Sequence, residues 1–205
     1  SVMDKIAAHA VNLLKGSSSA IYIPEPNDKT MRAITAAGNI ADEILADTIT
    51  IGEGIIGSVA KNGKAEFIND TNSDPRTVQI PGTEKVGDER LLVAPLLAGS
   101  KVNGMMAVWR EGGEPFSTLD MNFLEELSLQ AAIAIQNANF FIEIQQRANE
   151  LELINSVQQG LSSKLDVQSI YELVGEKVRG TFNSQAVIIS YYDEKNDTAA
   201  FPYLY

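Results

Sequence analysis

Apolar residues at helical spacing, Ile6, Ala10, Leu13 and Leu14, predict an amphipathic helix over about Met3–Lys15. Gly16 and three serines break it, and Ala20-Ile21-Tyr22-Ile23 then reads as a short buried strand. Pro24, Pro26 and Asn27-Asp28 turn the chain into a second strand around Met31–Ala36. Ile40–Ala46 is predicted as a short helix with acids on its outer side, followed by Thr48–Ile51 and the run Gly52-Glu53-Gly54. A brief helix, Ile55–Lys61, is closed by Asn62-Gly63. Ala65–Asn69 reads as a strand and Asp70–Glu89 as a long polar loop, of a length that is usually functional or mobile. Arg90–Leu97 and Lys101–Arg110 are two apolar runs on either side of Ala98-Gly99-Ser100, which predicts a central hairpin.

From Ser117 or Thr118, as the cap, no helix breaker occurs before Gly160. A rod of about 40 residues reaches roughly 60 Å, longer than a small domain is wide. Leu124, Leu127, Ala131, Ala134, Ala138 and Phe141 recur three and four apart along it, a heptad seam. The seam predicts a homodimer with the long helices side by side, through those six residues. Past Phe141 the phase slips to Ile144, Ala148, Leu151 and Ile154. Beyond Gly160 the opening pattern repeats: Lys5–Gly16 corresponds to Ser169–Gly180, and Ala20–Ile23 to Ala186–Ile189. That offset is too long for a solenoid and points to tandem copies of one domain. The expected organisation is residues 1–116 as a first domain, 117–160 as a signalling and dimerisation helix, and 161–205 as the start of a truncated second copy. Under roughly 50 residues, the second part could not bury a core alone.

Composition narrows the function. A net charge of −11 disfavours nucleic acid and anionic membrane surfaces as partners. No apolar run is long enough to span a bilayer and no basic-then-apolar leader occurs, so the chain is expected in the cytoplasm. With no cysteine and one histidine, His9, thiolate chemistry, Cys-based zinc sites and most histidine acid–base schemes are removed. No catalytic residue and no metal site is identified, and an enzyme is not expected. Gly52-Glu53-Gly54-Ile55-Ile56-Gly57 matches G-x-G-x-x-G. Its helix is short, however, and a hairpin follows in place of parallel strands, so tight turning and close packing explain these glycines better than a dinucleotide does.

The acids Asp70, Asp74, Asp88 and Glu89 cluster in and around the long loop, either for general acid–base work or simply to keep the loop solvated. With no base, nucleophile or metal partner beside them, the solvated loop is favoured. Arg76 and Arg90 could meet an anion or pair with those acids, and Trp109 reads first as a core or rim aromatic and second as a surface on which a ligand could stack. Asp70, Arg76, Arg90 and Trp109 are therefore the candidate lining of a pocket between the central sheet and residues 70–89. An ion pair between Arg110 and Asp120 would tie the long helix to the sheet.

The ordered series Ile51-Gly-Glu-Gly-Ile-Ile-Gly-Ser-Val-Ala-Lys-Asn-Gly-Lys-Ala, Ile68-Asn-Asp and Asp74-Pro75-Arg76 resembles the signature of GAF domains. So do Arg90–Leu97, Asn103-Gly-Met-Met-Ala-Val, Phe116-Ser-Thr-Leu-Asp120 and Gln130–Asn137, and the resemblance covers about residues 1–142. It implies an α+β fold in which an antiparallel sheet of about six strands is sandwiched by helices. It also implies a sensory module that dimerises through helices and regulates an attached output domain of histidine kinase or nucleotide cyclase type. A cyclic nucleotide or another small molecule is the implied ligand. A purely structural dimerisation domain, and then an enzyme on this fold, are the alternatives. Of the Asn-Lys…Phe-x3-Asp-Glu motif of cyclic-nucleotide-binding members, Phe116 and Asp120 match, Trp109-Arg110 stands for Asn-Lys, and Met121 replaces Glu. Bilin attachment and the sulfoxide reductases of this fold need Cys, and the haem-binding members need a pocket His, whereas His9 lies on the first helix. Neither bilin nor haem is expected.

Overall fold

Alternation of side chains across a central pair of long strands builds a core on each face of one sheet. The computed structural model describes residues 1–99, 101–162 and 167–205, with residues 160–162 described by backbone alone. The chain divides into two compact units, Ser1–Ala138 and Asn139–Tyr205.

In the first unit, helix α1 (Val2–Leu13) precedes β1 (Ser18–Pro24) and β2 (Thr30–Gly38). Helix α2 (Ala41–Ala46), β3 (Thr48–Thr50), α3 (Gly54–Asn62) and β4 (Glu66–Ile68) follow, then β5 (Glu89–Ala98) and β6 (Lys101–Glu111). The strands form a six-stranded sheet in the order β3-β2-β1-β6-β5-β4, with every pairing antiparallel. On β5, Leu92, Ala94 and Leu96 join Ile6 and Ala10 of α1, and Leu14 just past its end, in one core layer. Leu91 and Val93, one residue out of step, join Ile55 and Val59 of α3 in the other. Burial on both faces explains why β5 and β6 read as near-continuous apolar runs rather than as alternating ones.

The long helix α4 (Thr118–Ser162) starts at a reciprocal cap. Ser117 N–H donates to Asp120 Oδ2 at 2.8 Å, and Asp120 N–H donates back to Ser117 Oγ at 3.3 Å. Gly160 does not end the helix. Leu124, Leu127, Ala131 and Ala132 pack into the α1 layer of the sheet, which carries the first unit well past residue 116. This reassigns half of the heptad seam. Leu124, Leu127 and Ala131 are covered by the chain's own core, Ala134 is half-buried, and only Ala138 and Phe141 are exposed. A three-and-four spacing marks an apolar stripe and does not say whether sheet or partner helix covers it.

At α3, Gly52 and Gly54 take φ of +92° and +67°, the left-handed turn into the helix. Gly57 sits against β3, where an added Cβ would lie 2.2 Å from the Thr50 carbonyl oxygen. An antiparallel sheet offers no dinucleotide crevice, so these glycines serve the turn and the packing.

In the second unit, helix α5 (Val167–Phe182) is followed by an antiparallel pair, β7 (Ile188–Asp193) and β8 (Thr198–Leu204). Gly175 allows the Tyr203 ring to lie on α5, and Tyr203 donates to Glu176 at 2.9 Å. Ile188, Tyr191, Tyr192, Phe201 and Leu204 are exposed.

Candidate functional site

A cavity of about 190 Å³ lies on the α3 face of the sheet. Tyr22 of β1, Leu91 of β5 and Trp109 of β6 form its floor. Ile49 of β3, Ile55 of α3, and Val78, Ile80 and Pro81 complete its lining. The last three belong to the segment between β4 and β5, which has one 3₁₀ turn, Thr71–Ser73, and no other helix or strand. Its conformation is fixed by contacts both outside it and within it. Asn69 exchanges two hydrogen bonds with the main chain of Phe116, at 3.0 and 2.7 Å. Arg76 clasps Asp74 and Glu66, both at 2.8 Å, and Asn72 donates to the Val86 carbonyl at 3.0 Å. The cavity adjoins a larger groove of about 620 Å³ on the same side, and the two share Trp109, Glu89 and Thr77–Ile80.

The structure distributes the four residues nominated from sequence. Trp109 lines the cavity. Asp70 is exposed and accepts from Ser73 Oγ. Arg76 is engaged by Asp74 and Glu66, which hold its guanidinium more firmly protonated, while Arg76 lowers the Asp74 carboxyl. Arg90 requires a correction. Leu91 pairs with Trp109 across β5–β6, and Arg90 pairs with Arg110. Successive residues of a strand face opposite sides, so Arg90 projects from the sheet face opposite Trp109. There it donates to the Gly112 carbonyl at 2.7 Å and meets Asp88 at 3.1 Å.

Arg110, on that same far face, holds the start of α4. It donates to the Glu114 carbonyl at 2.6 Å and to the Leu14 carbonyl, and lies 3.9 Å from the Phe116 ring centroid and 3.9 Å from Asp120. The ion pair expected between Arg110 and Asp120 thus forms at the long end of contact. Burial lowers the Arg110 pKa, and Asp120 opposes that shift.

Tyr22 is absent from the sequence candidates, and Glu89 is there only as one of the loop acids. Tyr22 is 1% exposed, and burial, reinforced by Asp47, pushes its hydroxyl pKa up. Glu89 accepts from the Thr71 hydroxyl at 3.0 Å and faces Glu111 directly across the β5–β6 pair. Burial raises its carboxyl pKa, Thr71 pulls it back, and Glu111 raises it further. The register was the available signal. Once Trp109 is placed, its β5 partner is Leu91, and Glu89 follows on the same face two residues away.

Because folding holds the Glu89 proton more tightly, stability falls as pH rises from the ordinary glutamate range through this raised value. Glu89→Gln should therefore raise the melting temperature at pH 7, and the gain should disappear on acidification to about pH 4. Thermal melts of both proteins from pH 4 to 8 check this. A gain that persists at pH 4 would trace the effect to packing instead.

His9 is exposed on α1, and among the described residues no group of three or more His, Cys, Asp or Glu side chains is placed to hold a metal ion. No described helix is long and apolar enough to cross a membrane.

Comparison with known proteins accords with this architecture. The profile of the GAF domain family matches residues 1–136. The second GAF domain of DevS from Mycobacterium smegmatis superposes with a TM-score of 0.58 at 22% identity, over 70% of this chain and 96% of that one. The GAF domain of an Acinetobacter phosphoenolpyruvate-protein phosphotransferase gives 0.59 at 20% identity, over 67% and 81%. A type II free methionine-R-sulfoxide reductase from Thermoplasma acidophilum gives 0.55 at 16% identity, over 66% and 91%. No curated protein matches the sequence.

Proposed function

The chain belongs to the GAF domain family through residues 1–136, and on that footing we propose that it is a cytoplasmic regulatory module whose first unit binds a small molecule and passes the event to α4. The observation that carries this reading is the pair Trp109-Arg110. As neighbours on β6 they face opposite ways, one into the cavity and the other onto the start of α4. A ligand resting on Trp109 moves β6. Arg110, bound to the Leu14 and Glu114 carbonyls, then shifts the run-in to the helix. Ligand binding favours one of two helix settings by its differential affinity for them. The helix relays that setting to an attached output domain of histidine kinase or nucleotide cyclase type. The order helix, strand, strand in α5, β7 and β8 matches that of α1, β1 and β2, and supports reading the second unit as the opening of another such domain.

Melting the chain with a mixed panel of amines, amino acids, carboxylates and cyclic nucleotides at millimolar concentration tests the sensor reading. A ligand at a hundredfold excess over its Kd adds about 2.7 kcal/mol, roughly 10 °C for a unit of this size. If no compound moves the transition, the reading falls to a second one, a structural dimerisation domain without ligand. Dimerisation belongs to both readings, and exposed Phe140, Phe141 and Ile144 on α4 offer it an apolar surface. Eight acids against one base between Glu111 and Glu152 oppose it by repulsion. Association should therefore strengthen with added salt, as the charges are screened. Ala138→Glu should weaken it. Mass measurement by sedimentation across salt decides, and a wild-type monomer under all conditions would remove the dimer.

A further inference from the structure

Taking the cavity as a ligand site, its charges decide what class of ligand it suits. Among the described residues three carboxylates border it, Asp47, Glu53 and Glu89, and no lysine or arginine does. In the adjoining groove Lys85 stands alone against five acids. Among the described residues Glu89 forms no ion pair. Its hydrogen-bond partner is Thr71 and its neighbour across the sheet is Glu111. The arginines of β5 and β6 are turned to the far face. Tyr22 supplies an independent observation. It is 1% exposed and part of the cavity wall, and its hydroxyl makes no hydrogen bond among the described residues, so a polar group stands ready there. The start of α3 also reaches the cavity, but Glu53 occupies its N-cap position and offsets the positive end of that helix.

We infer that this cavity binds a small organic cation, a primary or quaternary ammonium on an apolar body, with the charged head at Glu89 and the body against Trp109 and Tyr22; the inference rests on the ligand-binding reading above. A partly buried carboxylate without a counter-ion gains most from a cation, and aromatic faces attract ammonium groups. An anionic phosphate meets three carboxylates and no base, so a cyclic nucleotide is the wrong sign for this wall. The volume of about 190 Å³ favours a body no larger than a single ring.

The test is a matched series of phenethylamine, 2-phenylethanol and phenylacetate, which share a ring and differ chiefly in charge, with cyclic AMP and cyclic GMP alongside. Trp109 is the chain's only tryptophan, so selectively excited fluorescence reads the cavity itself. Phenethylamine should bind roughly tenfold tighter than the alcohol, and phenylacetate and both nucleotides more weakly still. Glu89→Gln should bring the amine close to the alcohol and leave the alcohol unchanged. Asp47→Asn, at another carboxylate of the lining, provides a second variant should Glu89→Gln disturb folding, and should reduce the amine preference in part. Phenylacetate or a nucleotide binding as tightly as the amine overturns the cation assignment while the ligand site stands. An amine preference untouched by both variants overturns it too. No fluorescence response to any compound removes the cation and the ligand site together.

Discussion

Leu124→Ala should destabilise the first unit by about 3–5 kcal/mol, whereas Phe141→Ala, on the same helix, should leave it within about 0.5 kcal/mol. Leu124 is fully buried between α4, α1 and the sheet, and Phe141 is 69% exposed. The first truncation removes transfer free energy and leaves a void walled by packed neighbours. The second removes a side chain that the chain itself does not cover. Urea titration followed by Trp109 fluorescence reads the first unit alone, because its signal comes from β6. A loss below about 1 kcal/mol at Leu124 would mean that the helix is not seated as described. In a dimer, Phe141→Ala should change mass and not the unimolecular transition.

Gly57→Ala is expected to cost about 2 kcal/mol, although alanine is the better helix former by about 1 kcal/mol. The added methyl would stand 2.2 Å from the Thr50 carbonyl and 3.2 Å from the Gly52 nitrogen. Both are backbone atoms, so no side chain can swing away, and β3 must part from α3. Because Thr50, Ile55 and Gly57 all border the cavity, the same substitution should change Trp109 fluorescence in the folded state. A stabilised variant with an unchanged spectrum would show that α3 and β3 are looser than drawn.

The elements were legible wherever the sequence carried a clean period or a stop. The stripe of α1, the capping pair Ser117 and Asp120, and the left-handed Gly63 that ends α3 each left a local mark. The site was less legible, for two physical reasons. Strands β5 and β6 are apolar on both faces, so Leu91 and Leu92 look alike in sequence although one floors the cavity and the other faces α1. Arg76 and Asp74 are conspicuous charges of the loop, yet they satisfy each other and neither borders the Trp109 cavity. Glu89 was grouped with the loop acids because it sits at the first position of β5, where loop and strand composition meet. The heptad seam was visible, but what covers it is a property of the folded neighbours rather than of the repeat.

Arg90 and Arg110 have a consequence for how the protein tolerates change. Each anchors on main-chain oxygens, those of Gly112 for one and of Leu14 and Glu114 for the other. A carbonyl belongs to every residue type, so the acceptor positions are under no chemical constraint from these bonds. Glu114, whose side chain is exposed, can take nearly any identity and still offer its oxygen. The donors have no such freedom, since only a guanidinium carries several N–H groups in one rigid plane. A saturation mutagenesis map should therefore be lopsided here, intolerant at 90 and 110 and permissive at 114, with the link between sheet and helix surviving drift in the loop that completes it.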